Sequence, residues 1–313
     1  MKKKFKIIFM GTPEFAVPAL KALHVNGHKI SLVITRPDRP KGRGRKMFPP
    51  PVKTEALNLG LHIIQPKSLR TREIEDQIKS LSPEFLVVAA FGHILTESIL
   101  SLPGIGTINV HASLLPKYRG PAPINWAIIN NERQTGVTTM LMDKGLDTGA
   151  ILMTTKEPIK ADDTAASLHD RLARIGADLL IRTFEAYADE RIQPVAQDHS
   201  LATYAPLLRK DDGHIDWTKP AETLETFIRG VTPWPGAFTF HGNDRLKIFK
   251  TKPILKDAAE SPGTVLKSFP DELQIATAKG TLSILEIQGP SGKRLLIKDF
   301  LRGYRIPPGT TLI

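Results

Sequence analysis

Short runs of apolar residues recur along the first half of the chain, and segments long enough for helices separate them. The runs are KIIFM, ISLVIT, LHIIQ, FLVVAAF, TINVH and TTMLM, with helix-length segments at residues 13–26 and 71–80. FLVVAAF is apolar throughout rather than alternating, which is typical of a strand covered on both faces of a parallel sheet. The pattern therefore predicts an open, Rossmann-like and mostly parallel α/β sheet.

The pattern changes after about residue 190, where prolines punctuate the chain and shorter strand-like pieces follow. These pieces are AFTF, RLKIF, GTVLK, ELQIAT, TLSILEI and RLLIKDFL. Short strands at such spacing are typical of a small β-barrel or sandwich. We therefore predict an α/β domain over residues 1–190, a linker over 191–208 and a C-terminal β-barrel over 209–313.

The positive charge is concentrated in one segment. The chain has 43 Lys and Arg against 32 Asp and Glu, a formal net charge of +11. More than half of this excess lies between residues 36 and 53, in the Pro- and Gly-rich sequence TRPDRPKGRGRKMFPPPVK. It has no helix or strand periodicity and is predicted to be a long exposed loop. We expect this loop to contact the phosphates of a polyanion; the alternative is a solvated basic loop without a specific partner.

The sequence lacks the motifs of several common classes of site and of membrane or secreted proteins. The chain has no cysteine, which excludes disulfides and thiolate chemistry, and its nine histidines show no metal-ligand spacing. A single glycine, Gly11, follows the first strand, so the dinucleotide-binding pattern is not met. Thr12 is predicted to cap the next helix, with Pro13 at its first position. No apolar run is long enough for a membrane span or a signal peptide, and a cytoplasmic location is expected.

A candidate catalytic set lies at the ends of two predicted strands. Asn109 and His111 are two residues apart on the strand TINVH, so their side chains leave the same face near its carboxyl end. Asp147 lies in the Gly-flanked turn after TTMLM, which we expect at the same sheet edge, where ligands bind in open α/β sheets. A carboxamide, an imidazole and a carboxylate suit acyl transfer to an amine without a covalent intermediate. The alternative is that these polar groups only anchor loops.

Two motifs carry a family resemblance. The pattern N-x-H-x-S-L-L-P-x-Y-R-G from Asn109 to Gly120, followed by D-x-G-x-D-x-G from Asp143 to Gly149, closely resembles the signature of formyltransferases that use 10-formyltetrahydrofolate. GTPEFA and FLVVAAFGHIL extend the similarity over the N-terminal domain. The segment TRPDRPKGRGRK, Pro123–Trp126 and the basic C-terminal domain resemble the branch of the family that acts on methionyl-tRNA.

The resemblance implies an activity and its residues. A monomeric enzyme would transfer the formyl group of 10-formyltetrahydrofolate to the α-amino group of initiator methionyl-tRNA, without a metal. The first alternative is the same reaction with a nucleotide-linked amino sugar as acceptor. The second is a non-catalytic RNA-binding protein. Asn109, His111 and Asp147 would be catalytic, and the C-terminal barrel would be of the oligonucleotide-binding type. The implied folate-site residues are Phe91, Gly92, Ile94, Leu95, Ser113, Leu114, Leu115, Pro116, Asp143 and Gly145. The expected tRNA-binding residues are Arg36, Arg39, Lys41, Arg43, Arg45, Lys46, Lys247 and Lys250, with Arg43 at the acceptor end.

Overall fold

The computed structural model describes residues 3–41 and 46–313, which fall into two compact units. The first unit comprises Met1–Pro123, Gln134–Pro158 and His169–Ala205, and the second comprises Ile124–Arg133, Ile159–Leu168 and Pro206–Ile313. Among the described residues, no helix combines the length and the apolar character that crossing a bilayer requires.

Strands and helices alternate along the first half of the chain. The strands are β1 (Lys6–Gly11), β2 (Lys29–Ile34), β3 (Arg39–Lys41), β4 (Lys46–Phe48), β5 (Ile63–Ile64), β6 (Phe85–Ala89), β7 (Gly106–His111), β8 (Gln134–Leu141) and β9 (Ile151–Pro158). The helices are α1 (Val17–Val25), α2 (Pro51–Asn58), α3 (Arg72–Ser80), α4 (Glu97–Leu100), α5 (Pro123–Ile129) and α6 (Ala165–Ala188).

The main sheet has the strand order β5-β2-β1-β6-β7-β8-β9. Its first five strands pair in parallel, and β8 and β9 continue it in antiparallel pairing. The continuously apolar strand β6 is buried at every position, as its pattern predicts. The prediction of a mostly parallel α/β sheet is confirmed, and the carboxyl ends of β1, β2, β6 and β7 lie at one edge.

The prediction that Thr12 caps the first helix was wrong. A short 3-10 turn at Glu14–Ala16 precedes α1, and its cap position is Pro13, without a side-chain hydrogen bond. Thr12 Oγ1 instead donates to the carbonyl oxygen of Phe91, at 2.9 Å. The segment that follows β6 lies beside the end of β1, and it supplies an acceptor that local sequence does not reveal.

The described parts of the basic segment form two short strands and the start of a helix, where a long loop was predicted. Arg39–Lys41 and Lys46–Phe48 pair as an antiparallel ribbon, and α2 begins only three residues later, at Pro51. The ribbon pairs backbone groups that a loop would leave to water. Local periodicity could not show this ribbon, because each of its strands is only three residues long.

The second unit contains an antiparallel sheet with the strand order β10-β11-β14-β13-β12, and β15 also pairs with β14. The ranges are β10 (Ala237–His241), β11 (Asp244–Ile254), β12 (Val265–Ser268), β13 (Leu273–Ala276), β14 (Thr281–Gln288) and β15 (Arg294–Leu296), with helices α7 (Ala221–Gly230) and α8 (Ile297–Phe300). The prediction of a small C-terminal β-barrel domain is confirmed, in the form of an antiparallel half-barrel.

Residues 310–313 join the two ends of this sheet. Residues 310 and 312 form backbone hydrogen bonds with Val265, the first residue of β12, and with Gly263 just before it, at 2.8 and 2.9 Å. Ile313 exchanges two backbone bonds with Phe240 of β10, at 2.6 and 3.0 Å. The segment therefore lies between the strands that would otherwise be the free edges of the sheet.

Deletion of residues 310–313 is expected to destabilise the second unit by at least about 3 kcal/mol, because it removes these bonds and the buried side chain of Leu312. All three tryptophans belong to the second unit, so their fluorescence during urea unfolding reports on it. Ile313→Ala is the matched control, since that side chain is exposed and the backbone bonds remain. An unchanged unfolding midpoint after the deletion would contradict this prediction.

Candidate active site

The structure brings Asn109, His111 and Asp147 together. Asn109 Nδ2 donates to Asp147 Oδ1 at 3.3 Å, and His111 Nδ1 lies 3.6 Å from Asp147 Oδ2. The backbone N–H of Gly120 donates to the same Oδ2 at 2.8 Å. Asn109 and His111 are buried, so this cluster of polar groups is largely shielded from water.

Strand geometry explains the positions of Asn109 and His111. Both lie on β7, which runs between β6 and β8, and His111 is the last residue of the strand. Side chains two residues apart share one face of a strand. The two polar groups therefore stand at the carboxyl edge of the sheet, as the sequence predicts.

Asp147 is carried by a tight turn after β8. Asp143 Oδ1 accepts bonds from Gly145 N at 2.9 Å and from Thr148 Oγ1 at 2.5 Å, which folds the turn back on itself. Asp147 has a positive φ of 52°. A Cβ atom at Gly149 would lie 1.7 Å from the carbonyl oxygen of Leu141, so only glycine fits there. The turn thus returns directly to β9 and keeps Asp147 beside β7.

The two nitrogens of His111 have different surroundings. Nε2 lies 3.0 Å from the carbonyl oxygen of Tyr118, and a carbonyl can only accept, so Nε2 carries a hydrogen. Nδ1 faces Asp147 at a distance longer than a hydrogen bond. In the neutral ring Nδ1 is therefore a free base, and in the cationic ring it is a donor that points into the cluster.

The S-L-L-P segment is anchored to β8. Thr138 Oγ1 donates to the carbonyl oxygen of Ser113 at 2.7 Å and accepts from Leu115 N at 3.2 Å. Leu114 packs against Gly136, where a Cβ atom would lie 2.6 Å from the leucine side chain. The Leu115–Pro116 peptide bond is cis. This segment therefore follows His111 directly and is fixed at the carboxyl edge of the sheet.

The segment after β6 lies at the same carboxyl edge of the sheet. Phe91 and Leu95 belong to the hydrophobic core, whereas Ile94 is 82% exposed. Gly92 has a positive φ of 78° and lies next to the side chain of Arg36. Of the folate-site residues predicted in this segment, Ile94 therefore presents an exposed apolar side chain at the sheet edge, whereas the side chains of Phe91 and Leu95 are buried.

The basic residues are distributed over both units. Arg36 follows β2 at the carboxyl edge of the main sheet; its Nε is buried and has no partner among the described residues. Burial, and after it the neighbouring Arg39, lowers the pKa of Arg36. Arg43 and Arg45 lie outside the described residues, as do the side chains of Lys41 and Lys46. Lys247 and Lys250 lie on β11 in the second unit.

Two residues outside the predicted site residues are bonded to this site, Arg119 of the family motif and Gln197, which the sequence analysis did not single out. The guanidinium of Arg119 is buried and donates to Gln197 Oε1, from Nε at 3.1 Å and from Nη2 at 2.7 Å. Gln197 Nε2 donates to the carbonyl oxygens of Asp147 and Gly149, at 2.9 and 2.7 Å. Gln197 is fifty residues from Asp147 along the chain, and no local signal marks it.

Two family models together match most of the chain. The family model described as formyl transferase matches residues 3–184, and the model of the formyl transferase C-terminal domain matches residues 207–305. The methionyl-tRNA formyltransferase of Caldanaerobacter subterraneus is 50% identical over 98% of this chain and 99% of its own.

Solved structures that share the fold include two formyltransferases. A methionyl-tRNA formyltransferase from Clostridium thermocellum aligns with a TM-score of 0.58 at 20% identity, covering 79% of this chain and 93% of its own. An N-formyltransferase from Helicobacter canadensis, in complex with folinic acid and dTDP-3-aminofucose, aligns with a TM-score of 0.66 at 20% identity. That alignment covers 90% of this chain and 98% of the other.

Proposed function

The chain belongs to the formyl transferase family, and on this premise we propose that it transfers the formyl group of 10-formyltetrahydrofolate to the α-amino group of methionyl-tRNA. The reaction is supported by the cluster of Asn109, His111 and Asp147 at the carboxyl edge of the sheet. The acceptor is supported by the 50% identity to a methionyl-tRNA formyltransferase over nearly the whole of both chains.

The first step is attack of the amino nitrogen on the formyl carbon. As the new C–N bond forms, the electron pair of the carbonyl bond moves to oxygen and gives a tetrahedral oxyanion. The carboxamide of Asn109 carries two N–H groups, and only one is needed for the bond to Asp147 Oδ1. The other N–H donates to the oxyanion in this mechanism.

His111 moves the proton. Nδ1 takes it from the attacking amine, because Nε2 is already protonated and held by Tyr118. The resulting Nδ1–H then passes the proton to N10 of the folate as the carbon–N10 bond breaks. The products are N-formylmethionyl-tRNA and tetrahydrofolate, and His111 returns to its neutral form.

Asp147 stabilises the positive charge that His111 carries between these two steps. Its Oδ2 lies 3.6 Å from Nδ1, in a buried site where the attraction between charges is stronger than in water. The bonds from Asn109 and Gly120 hold the carboxylate in place. Asp147 thus acts on the reaction through His111.

The folate would bind between the segment after β6 and the turn after β8. The exposed side chains of Ile94 and Leu146 offer apolar surface for the flat pterin ring, and backbone groups of the two segments offer hydrogen bonds. Asp143 and Gly145 then act by shaping the turn.

The basic segment from Arg36 to Lys53 would contact the phosphates of the tRNA. We expect the affinity for tRNA to fall with salt, with a log–log slope of about −0.7 to −0.9 for each phosphate contact. Arg43→Ala should weaken tRNA binding and make this slope shallower by about 1, while the KM for the folate stays unchanged. Arg72→Ala is the control, because Arg72 is fully exposed on α3. A tRNA affinity that does not respond to salt would contradict the electrostatic account.

A transfer assay with several acceptors tests the proposed function. It compares methionine charged on initiator tRNA, free methionine and a nucleotide-linked amino sugar, each with 10-formyltetrahydrofolate. We expect formylation of the charged tRNA alone. Formylation of the sugar would retain the chemistry and overturn the acceptor, and the absence of transfer to all three would favour a non-catalytic RNA-binding protein.

A further inference from the structure

We propose that Gln197 is a positioning residue for formyl transfer, which sets the orientation of Asp147 by binding the backbone on both sides of Thr148. This inference rests on the proposed function, because it concerns the rate of that reaction. Gln197 lies in the segment that follows α6, and no residue of that segment takes part in the mechanism above.

The carboxamide of Gln197 uses its full hydrogen-bonding capacity in this site. Both hydrogens of Nε2 have carbonyl partners, Asp147 O and Gly149 O, and Oε1 accepts two bonds from the guanidinium of Arg119. The side chain is 5% exposed. A buried amide with four directed bonds has a single orientation, so it can fix the position of the groups that it binds.

Arg119 connects the same carboxamide to the opposite side of Asp147. It precedes Gly120, whose N–H donates to Asp147 Oδ2, and its guanidinium is 2% exposed. Its side-chain partners among the described residues are Gln197 Oε1 and His199 Nδ1, and neither is a carboxylate. A buried cation needs such acceptors, so Arg119 holds Gln197 firmly while Gln197 holds the turn. Asp147 is therefore fixed through its own backbone and through Gly120 by one connected network.

Asp147 requires this support because its conformation is intrinsically unfavourable. With a φ of 52° Asp147 lies in the left-handed region, which costs a residue other than glycine up to about 1–2 kcal/mol, although aspartate adopts it more readily than most. Without the bonds from Gln197 the turn can relax and carry the carboxylate away from His111 Nδ1. A displacement of about 1 Å at a catalytic group costs about a hundredfold in rate.

Gln197→Glu separates the two halves of the network. The carboxylate still accepts from Arg119, but it has no hydrogen to donate to Asp147 O or Gly149 O. We expect the kcat for formyl transfer to fall about a hundredfold and the KM for each substrate to change less than about threefold, while circular dichroism shows a folded protein at the assay temperature. Asp198→Asn is the matched control, since Asp198 is exposed and its side chain bonds only to Ser200 in the described structure.

A double-mutant cycle then distinguishes positioning from a general loss of structure. If Gln197 acts through Asp147, Gln197→Glu causes little further loss of kcat in an Asp147→Asn background. Gln197→Met, which removes all four bonds at similar volume, should show the same dependence on Asp147. A near-normal kcat in Gln197→Glu, or an undiminished loss in the Asp147→Asn background, would overturn the proposal.

For each Gln197 variant, the quantity measured is the ratio of its kcat to that of the wild type, on the acceptor that the wild type formylates. A ratio near one refutes the role of Gln197, whereas a wild type that does not formylate methionyl-tRNA refutes the acceptor in the proposed function. The two failures are therefore distinct.

Discussion

Replacing His111 by alanine should lower the turnover number for formyl transfer by about a hundredfold or more, while the chain remains folded. In the mechanism proposed here, Nδ1 of this ring takes the proton from the attacking amine and delivers it to the departing nitrogen. General acid–base catalysis by a positioned side chain contributes about 10²- to 10⁴-fold. The measurement is kcat at saturating folate and methionyl-tRNA, with circular dichroism as the check on folding.

His111→Gln distinguishes proton transfer from a structural role of the ring. A glutamine side chain can donate to the carbonyl oxygen of Tyr118, as Nε2 does in the wild type, but it cannot take up and release a proton. We expect it to be as slow as His111→Ala. His24→Ala, an exposed position on α1, is the control. Recovery of near-normal turnover with glutamine would show that His111 only anchors the loop.

Asn109→Ala should lower turnover by about 10²- to 10³-fold, because it removes a donor to the oxyanion. The loss of one such donor typically costs about 2.7–4 kcal/mol of transition-state stabilisation. Because the interaction is made only in the transition state, kcat should fall and the KM values should change little. The assay is the same, at saturating concentrations of both substrates.

The controls for this second prediction test the donor itself. Asn109→Asp has nearly the same shape but presents an acceptor to the oxyanion and to Asp147, so it should not restore the rate. Asn26→Ala, at an exposed position that follows α1, should leave turnover unchanged. If Asn109→Ala keeps near-wild-type turnover, the assignment of Asn109 as the oxyanion donor is wrong.

Much of the site could be predicted from the sequence because its central features are local. The spacing of Asn109 and His111 on a strand determines that they share a face, and a parallel sheet brings the ends of its strands to one edge. The turn that carries Asp147 is likewise encoded by adjacent residues, in which Asp143 and the flanking glycines fold the chain back.

The remaining features depend on contacts between distant parts of the chain. Thr12 has the pattern of a helix cap, yet its hydroxyl bonds to Phe91, seventy-nine residues away. Gln197 reaches Asp147 and Arg119 from a segment that reads as a proline-punctuated linker. No periodicity or motif encodes such partners, since they follow from how the finished sheet places its loops.

The basic segment shows a second limit of sequence reasoning. Its charge predicts a polyanion partner, because charge acts over distances that do not depend on local structure. Its conformation was predicted less well, since the ribbon of β3 and β4 is too short to show a strand pattern. The polyanion partner stays a prediction, whereas the predicted long loop differs from the short strands that the structure describes.

The most direct test of the central claim is to follow an isotope-labelled formyl group from 10-formyltetrahydrofolate into methionyl-tRNA, by mass spectrometry of the released aminoacyl group. The account predicts that the wild type places the label on the α-amino nitrogen of the methionine, and that Asn109→Ala and His111→Ala form the same product at least about a hundredfold more slowly. Unlabelled methionine with the wild type, or equal rates with all three proteins, would contradict it.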